Sequence, residues 1–296
     1  MVYRVDVVRH GERVDAYYEH HICNGALDKR WSEVTINENG YLPLDDNFPA
    51  DLPEPKDGLL HYARDCPLTL RGLRDAKALG KAMLARKEIP EEIFVSPALR
   101  CLQTAQAILL GLGCNIPLKV EQGLLEYIPG RRRPPILPLP FAITHFGIHA
   151  DESYTSLWSH AELGETETVP EFYQRHHDVM QGLLQQHSGG RMLVVAHNAS
   201  VDALHRGLRG LPSPRSREQL FQMMSWSSFQ NFLCASAVEA PTLDGPWRLV
   251  APIEQPTEEL RRAPSAHWTA WDHSFEEEEE PCIEIDPQHS HRPTFN

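Results

Sequence analysis

Arg9-His10-Gly11-Glu12 follows directly on the run Val5-Asp6-Val7-Val8, so a guanidinium and an imidazole leave the end of a short strand together. A second histidine stands in the same relation to a second apolar run, at Leu193-Val194-Val195-Ala196-His197. An imidazole with one unprotonated nitrogen can attack phosphorus. The charge on phosphoryl oxygens calls for fixed cationic donors, and arginine offers a planar fork that stays charged. Arg9, Arg13 and Arg100 are the candidates, with His197 as a further donor. The leaving oxygen needs a proton from a nearby acid. Glu126, in Gly123-Leu124-Leu125-Glu126-Tyr127, follows another short apolar strand. Phosphoryl transfer through a phosphohistidine at His10 is the chemistry these residues would support.

The elements that must position them can be read from periodicity. The chain opens on a buried strand ending near Val8, and Ile93-Phe94-Val95, Leu118-Lys119-Val120 and Arg191 to Ala196 read as further strands. Thr69 to Lys87 predicts an amphipathic helix with Thr69 as its cap and Leu70, Leu73, Leu79 and Met83 near one face. Ala98 to Leu112, Pro170 to His187 and Ser200 to Leu208 predict three more helices, and Ser228 to Val238 and Trp247 to Val250 two late strands. Strands alternating with helices imply an α/β fold, a mainly parallel sheet flanked by helices. Ligands in such sheets sit beyond the carboxyl ends of the strands, where His10 and His197 fall. Residues 15 to 65 and 128 to 168 are expected to be irregular insertions, the second with Pro134, Pro135, Pro138 and Pro140 close together.

The 296 residues carry a formal net charge of -13. From Ala251 to Asn296 there are eleven acidic and three basic residues, a net of -8, which leaves -5 for residues 1–250. We therefore expect one domain over 1–250 and an acidic, disordered tail over 251–296. Neither part has the basic excess of a nucleic-acid binder. No apolar run approaches the ~20 residues that cross a bilayer, and no leader pattern opens the chain, so a cytoplasmic protein is the expectation. The six cysteines form no Cys-x-x-Cys pair and read as free thiols. His20-His21 and His176-His177 point their side chains apart, which argues against a metal site. Arg131-Arg132-Arg133 reads as a solvated loop, with a gate for an anionic substrate as its alternative.

Taken together, Arg-His-Gly-Glu, Pro67-Leu68-Thr69-Leu70-Arg71-Gly72, Ser96-Pro97-x-x-Arg100-x-x-Gln103-Thr104-Ala105, Leu125-Glu126 and Val195-Ala196-His197 resemble the histidine phosphatase superfamily, which includes phosphoglycerate mutases and acid phosphatases. The resemblance spans residues 1 to about 238. Arg9-His10-Gly11-Glu12-Arg13-Val14-Asp15 and the Gly-Leu-Leu-Glu-Tyr context are similar to the phosphatase domain of the TULA proteins and the insect ecdysteroid-phosphate phosphatases. It implies a phosphoglycerate mutase-like three-layer sandwich and a two-step phosphatase with no metal or other cofactor. It further implies His10 as nucleophile, Glu126 as acid, and Arg9, Arg13, Arg100 and His197 as phosphate ligands. The implied substrate is a phosphorylated small molecule, such as a steroid phosphate, or a phosphotyrosine protein. The implied assembly is a homodimer. A phosphoglycerate-type mutase and a catalytically silent interaction module are the alternatives.

Overall fold

The computed structural model describes residues 3–22, 29–128, 134–187, 189–220, 233 and 235–252. The opening strand β1 (Tyr3–Arg9) is followed by a stretch of short elements: α1 (Val14–Tyr17), α2 (Trp31–Thr35) and the two-residue strands β2 (Ile36–Asn37) and β3 (Gly40–Tyr41). These few turns surround a small core of Tyr18, Trp31, Phe48 and Tyr62, which packs against Leu99 and Leu137. The first insertion is thus irregular, as expected, and is held together by aromatic side chains.

Helix α3 (Leu70–Ala85) begins at Thr69, whose side chain accepts from Gly72 N at 3.0 Å. Its buried stripe is Gly72, Ala76, Leu79, Gly80 and Met83, whereas Leu70 is 38 % exposed. The predicted face is shifted because small residues carry it, letting α3 approach its neighbour closely. Strand β4 (Glu92–Val95), α4 (Leu99–Leu112) and β5 (Leu118–Val120) follow within a residue of expectation. The second insertion holds a helix that the prolines concealed, α5 (Leu139–Phe146). Pro138 caps it and Pro140 lies in its first turn, where a missing N–H costs nothing.

Helix α6 (Val169–Gln186) starts with a reciprocal capping box between Thr168 and Glu171. After it come β6 (Arg191–Ala196), α7 (Asn198–Arg209), β7 (Ala235–Ala240) and β8 (Arg248–Val250). Of the predicted strand Ser228 to Val238, residues 228–232 and 234 lie outside the described residues, as do Arg131 to Arg133, the tail beyond residue 252, and Cys23, Cys234 and Cys282. Cys66, Cys101 and Cys114 are free thiols.

The sheet runs β5-β4-β6-β1-β7-β8. The pairs from β5 to β1 are parallel, and β7 and β8 are antiparallel. Alternation along the strands supplies both faces. Val8, Ile93, Val95, Leu193 and Val195 pack with the residues of α3 and α4, and Val7, Phe94, Met192, Val194 and Ala196 with those of α6 and α7. The fold is therefore the expected α/β three-layer sandwich. Asp6 interrupts the apolar run of β1, and Arg4 at 2.9 Å and Arg191 at 3.0 Å neutralise it in the buried sheet.

Candidate active site

Three adjacent strands, β4, β6 and β1, end side by side, and the residues just beyond them are Ser96, His197 and His10. The His10 N–H extends the ladder to Ala196 O at 3.0 Å, so its backbone is fixed by the sheet itself. The next residue is tightly packed: a Cβ on Gly11 would lie 3.0 Å from Gly72 O, and Gly72 itself has no room for one, since its Cβ would lie 2.5 Å from Glu12 O. The start of α3 presses onto the Gly11-Glu12 backbone. Thr69 N and Thr69 Oγ1 donate to Glu12 O and Glu12 Oε1 at 2.9 and 2.8 Å, which ties the two segments together.

His10 Nδ1 lies 2.9 Å from Gly11 O. A carbonyl only accepts, so Nδ1 carries the proton and the lone pair of the neutral ring is at Nε2. The ring is buried, and its pKa is held well below the usual histidine value, first by burial and then by the charges of Arg100, Arg9 and Arg13. His10 is therefore neutral at physiological pH.

His197 caps α7, and its ring packs edge-on to His10 with centroids 5.7 Å apart. Its Nδ1 is 3.2 Å from Arg100 Nη2 and its Nε2 is 2.8 Å from Ser96 Oγ. A guanidinium only donates, so Nδ1 accepts and Nε2–H donates to Ser96. Burial, then Arg100, keep this ring neutral as well.

Arg100 sits in the first turn of α4 and reaches three groups. Nη2 donates to Glu126 Oε2 at 2.5 Å and to His197, and Nη1 lies 3.6 Å from Asp65 Oδ1. Glu126 is also 3.7 Å from His197 Nδ1, and its side chain is 35 % exposed. Burial would raise its pKa, but the charges of Arg100, Arg13 and Arg9 outweigh that and hold it at about 2. Arg13 is half-buried, and its Nε donates to Asp15 at 2.9 Å. All six residues singled out in the sequence, Arg9, His10, Arg13, Arg100, Glu126 and His197, thus meet at one end of the sheet.

Sequence reasoning missed the residues that hold these in place. Asp65 is buried, and its carboxylate accepts from Leu99 N at 2.9 and 3.2 Å, supplying the cap that Ala98 lacks. Thr104 Oγ1 accepts from Gly11 N at 2.9 Å and donates to Arg100 O at 2.7 Å, linking β1 to α4. Gln103 accepts from Leu68 N at 2.8 Å. The Ser-Pro-x-x-Arg-x-x-Gln-Thr pattern contained Ser96, Gln103 and Thr104, but no local signal pointed to Asp65. His176 lies between Ser200 Oγ and Phe172 O.

Three neighbouring strand ends bring together two neutral histidines, a cluster of arginines and the Glu126 carboxylate, an arrangement with the charge to hold an anion. The chain belongs to the histidine phosphatase superfamily: the family model for its branch 1 matches residues 53–231. Similar curated proteins include the ubiquitin-associated and SH3 domain-containing protein B of Mus musculus, 29 % identical over 83 % of this chain and 38 % of that protein. The ecdysteroid-phosphate phosphatase of Drosophila melanogaster is 30 % identical over 90 % of this chain and 34 % of its own length. The chain thus spans well under half the length of these relatives. Among solved structures, the ecdysone phosphate phosphatase of Bombyx mori in complex with tungstate superposes with a TM-score of 0.68 at 26 % identity, covering 86 % of this chain and 94 % of that one. No helix among the described residues is long and apolar enough to cross a membrane.

Proposed function

We propose that the protein hydrolyses phosphomonoesters through a phosphohistidine at His10. The observation that carries this reading is the neutral His10 ring, with its lone pair at Nε2, surrounded by the charges of Arg9, Arg13 and Arg100. In the first step His10 Nε2 attacks phosphorus while the P–O bond to the leaving group breaks, and Glu126 gives its proton to the departing oxygen. In the second step water attacks phosphorus, the P–N bond breaks, and the Glu126 carboxylate takes the proton from that water. The arginines hold the equatorial oxygens, where charge is present throughout; His197 joins them once a phosphoryl oxygen displaces its Nδ1 from Arg100 and the ring changes tautomer, with Ser96 Oγ–H donating to Nε2 and Nδ1–H to the phosphoryl oxygen.

Glu126 is paired with Arg100 and ionised. An incoming phosphoryl group competes for Arg100 and adds negative charge beside Glu126. Both effects raise its pKa, so the proton needed for the first step is gained on binding.

The leaving group is an alcohol or a phenol. The Drosophila and Bombyx relatives, named for ecdysteroid and ecdysone phosphates, favour a sterol-like alcohol; a phosphotyrosine protein presents the same phosphoryl head. We assign residues 1–250 to the catalytic domain and 251–296 to a tail that turnover does not need. A homodimer in the cytoplasm belongs to the same reading and is tested by solution mass and by fractionation.

The experiment is a panel of steroid, nucleotide, sugar and tyrosyl phosphates, with products identified and specificity constants compared. Free phosphate with the dephosphorylated alcohol or phenol is the expected result. An isomerised phosphate ester would make the protein a mutase, and inactivity toward every ester, including nitrophenyl phosphate, would make it a silent module.

A further inference from the structure

Arg175 of α6 is buried, and it directs its guanidinium at the backbone that carries Glu126. Nη1 donates to Gly123 O at 2.5 Å and to Leu125 O at 3.0 Å. Nε and Nη2 donate to the two carboxylate oxygens of Glu167 at 3.0 and 2.6 Å. Glu167 continues the chain of contacts: its Oε1 accepts from Ile128 N at 3.2 Å, and its own N–H donates to Ile128 O at 3.1 Å. The guanidinium also lies over the Phe172 ring at 5.2 Å, and Tyr127 packs edge-on to the same ring at 5.6 Å. The backbone is therefore held at 123, 125 and 128, on both sides of Glu126.

That bracketing matters because regular structure does not reach Glu126. The β5 ladder ends at Val120, and the single 3-10 turn after it ends at Leu124. A carboxyl that is one-third exposed on irregular backbone would point in many directions, and a general acid contributes only when held within hydrogen-bond reach of the oxygen it protonates. Hydrolysis itself assigns no step to Arg175 or Glu167.

We propose that the Arg175–Glu167 pair positions the proton donor, by fixing the backbone on either side of Glu126 so that its carboxyl meets the leaving oxygen. This rests on the reading of Glu126 as the acid. Lysine has no fork with which to bond two carbonyls and a carboxylate at once, so Arg175→Lys loosens the bracket while keeping the charge.

The test measures the phosphorylation step by rapid quench, with an alkyl phosphate and with nitrophenyl phosphate. Arg175→Lys is expected to slow the alkyl ester by about 10- to 10²-fold, the scale of a misplaced catalytic group, and nitrophenyl phosphate by less than about 3-fold. In a Glu126→Gln background it should cause no further loss, because there is no acid left to misplace. Glu167→Gln should show the same pattern at smaller amplitude, and carries the test if Arg175→Lys does not fold. Equal losses on both esters, or additive losses in the Glu126→Gln background, would overturn the positioning role. If Glu126→Gln itself discriminates between the esters and Arg175→Lys does not, positioning alone is overturned. If Glu126→Gln does not discriminate, the acid reading fails and the proposal fails with it.

Discussion

Arg100 Nη2 and Glu126 Oε2 meet at 2.5 Å, one from the first turn of α4 and the other from the segment after β5. The same nitrogen lies 3.2 Å from His197 Nδ1. A dianionic phosphoryl group cannot enter beside Arg100 without disturbing this pair. The contact holds the carboxylate and the guanidinium against one another, and in the proposed reaction substrate exchanges that partner for a phosphoryl oxygen. The proton balance of the proposed reaction starts from that exchange.

His10→Ala should lower turnover by at least about 10³-fold, because attack by a covalent nucleophile has no substitute in the site. Acid-labile, base-stable phosphate should be found on the wild-type protein after rapid quench and be absent from the variant. Near-normal turnover by His10→Ala would end the phosphohistidine mechanism.

Glu126→Gln should slow phosphorylation by an alkyl phosphate by about 10²- to 10⁴-fold, the usual range for general acid catalysis. An aryl phosphate with an acidic phenol needs little protonation and should be slowed much less. Comparing the two in single-turnover experiments separates this step from hydrolysis of the phosphoenzyme. A uniform loss would return Glu126 to a purely electrostatic role.

The pH profile follows from the same charges. Free Glu126 is held at about 2 and free His10 well below the usual histidine value, so neither gains a proton between pH 6 and 9. The reactive complex carries one proton, on Glu126 or on the phosphate, and in both cases it forms from ionised enzyme and substrate monoanion. For an alkyl phosphate kcat/KM should therefore fall about tenfold per pH unit above the second phosphate ionisation, near pH ~6. Substrates with a lower second pKa should shift the limb downward by the same amount. A limb that stays in place as the substrate is changed would assign the ionisation to the protein.

Asp65 offers a stability test with a defined sign. Burial raises its pKa to about 6 despite Arg100, the Leu99 N–H and His61, whereas an unfolded aspartate titrates near ~3.9. Between these values the folded state binds more protons than the unfolded one, so stability falls as pH rises through the window. The stability advantage of wild type over Asp65→Asn should shrink by on the order of 2 kcal/mol from pH 4 to 7. Denaturant midpoints for both proteins across that range measure it, and an advantage that grows with pH would reverse the assignment.

Deleting residues 276–296 should leave turnover unchanged and move the melting temperature by no more than a degree or two. Every proposed site residue precedes β8, which ends at Val250. A loss of several degrees would show that the tail packs on the domain.

What the amino-acid sequence determined by itself is the set of strong local signals. Short apolar runs ending in His10 and His197 gave the strand ends, because four or five consecutive buried residues suit a parallel sheet covered on both faces. Thr69 marked a helix start through capping chemistry, which acts over three residues and is legible in any window. The α/β class and the six candidate site residues followed from those signals together with the family resemblance. α5 escaped because Pro138 and Pro140 read as breakers, though a proline in the first turn of a helix is tolerated.

Only the tertiary structure decided how the site is held. Asp65 caps α4 from 34 residues upstream, Thr104 bonds Gly11 from 93 residues away, and Arg175 grips carbonyls about 50 residues before it. None of these pairings has a sequence period, because each depends on where two separately folded segments come to rest. The depressed pKa values of His10 and Glu126 have the same origin. They arise from burial and from charges on different segments, and that electrostatic environment exists only once β1, β4, β6 and α4 have brought their ends together at one end of the sheet.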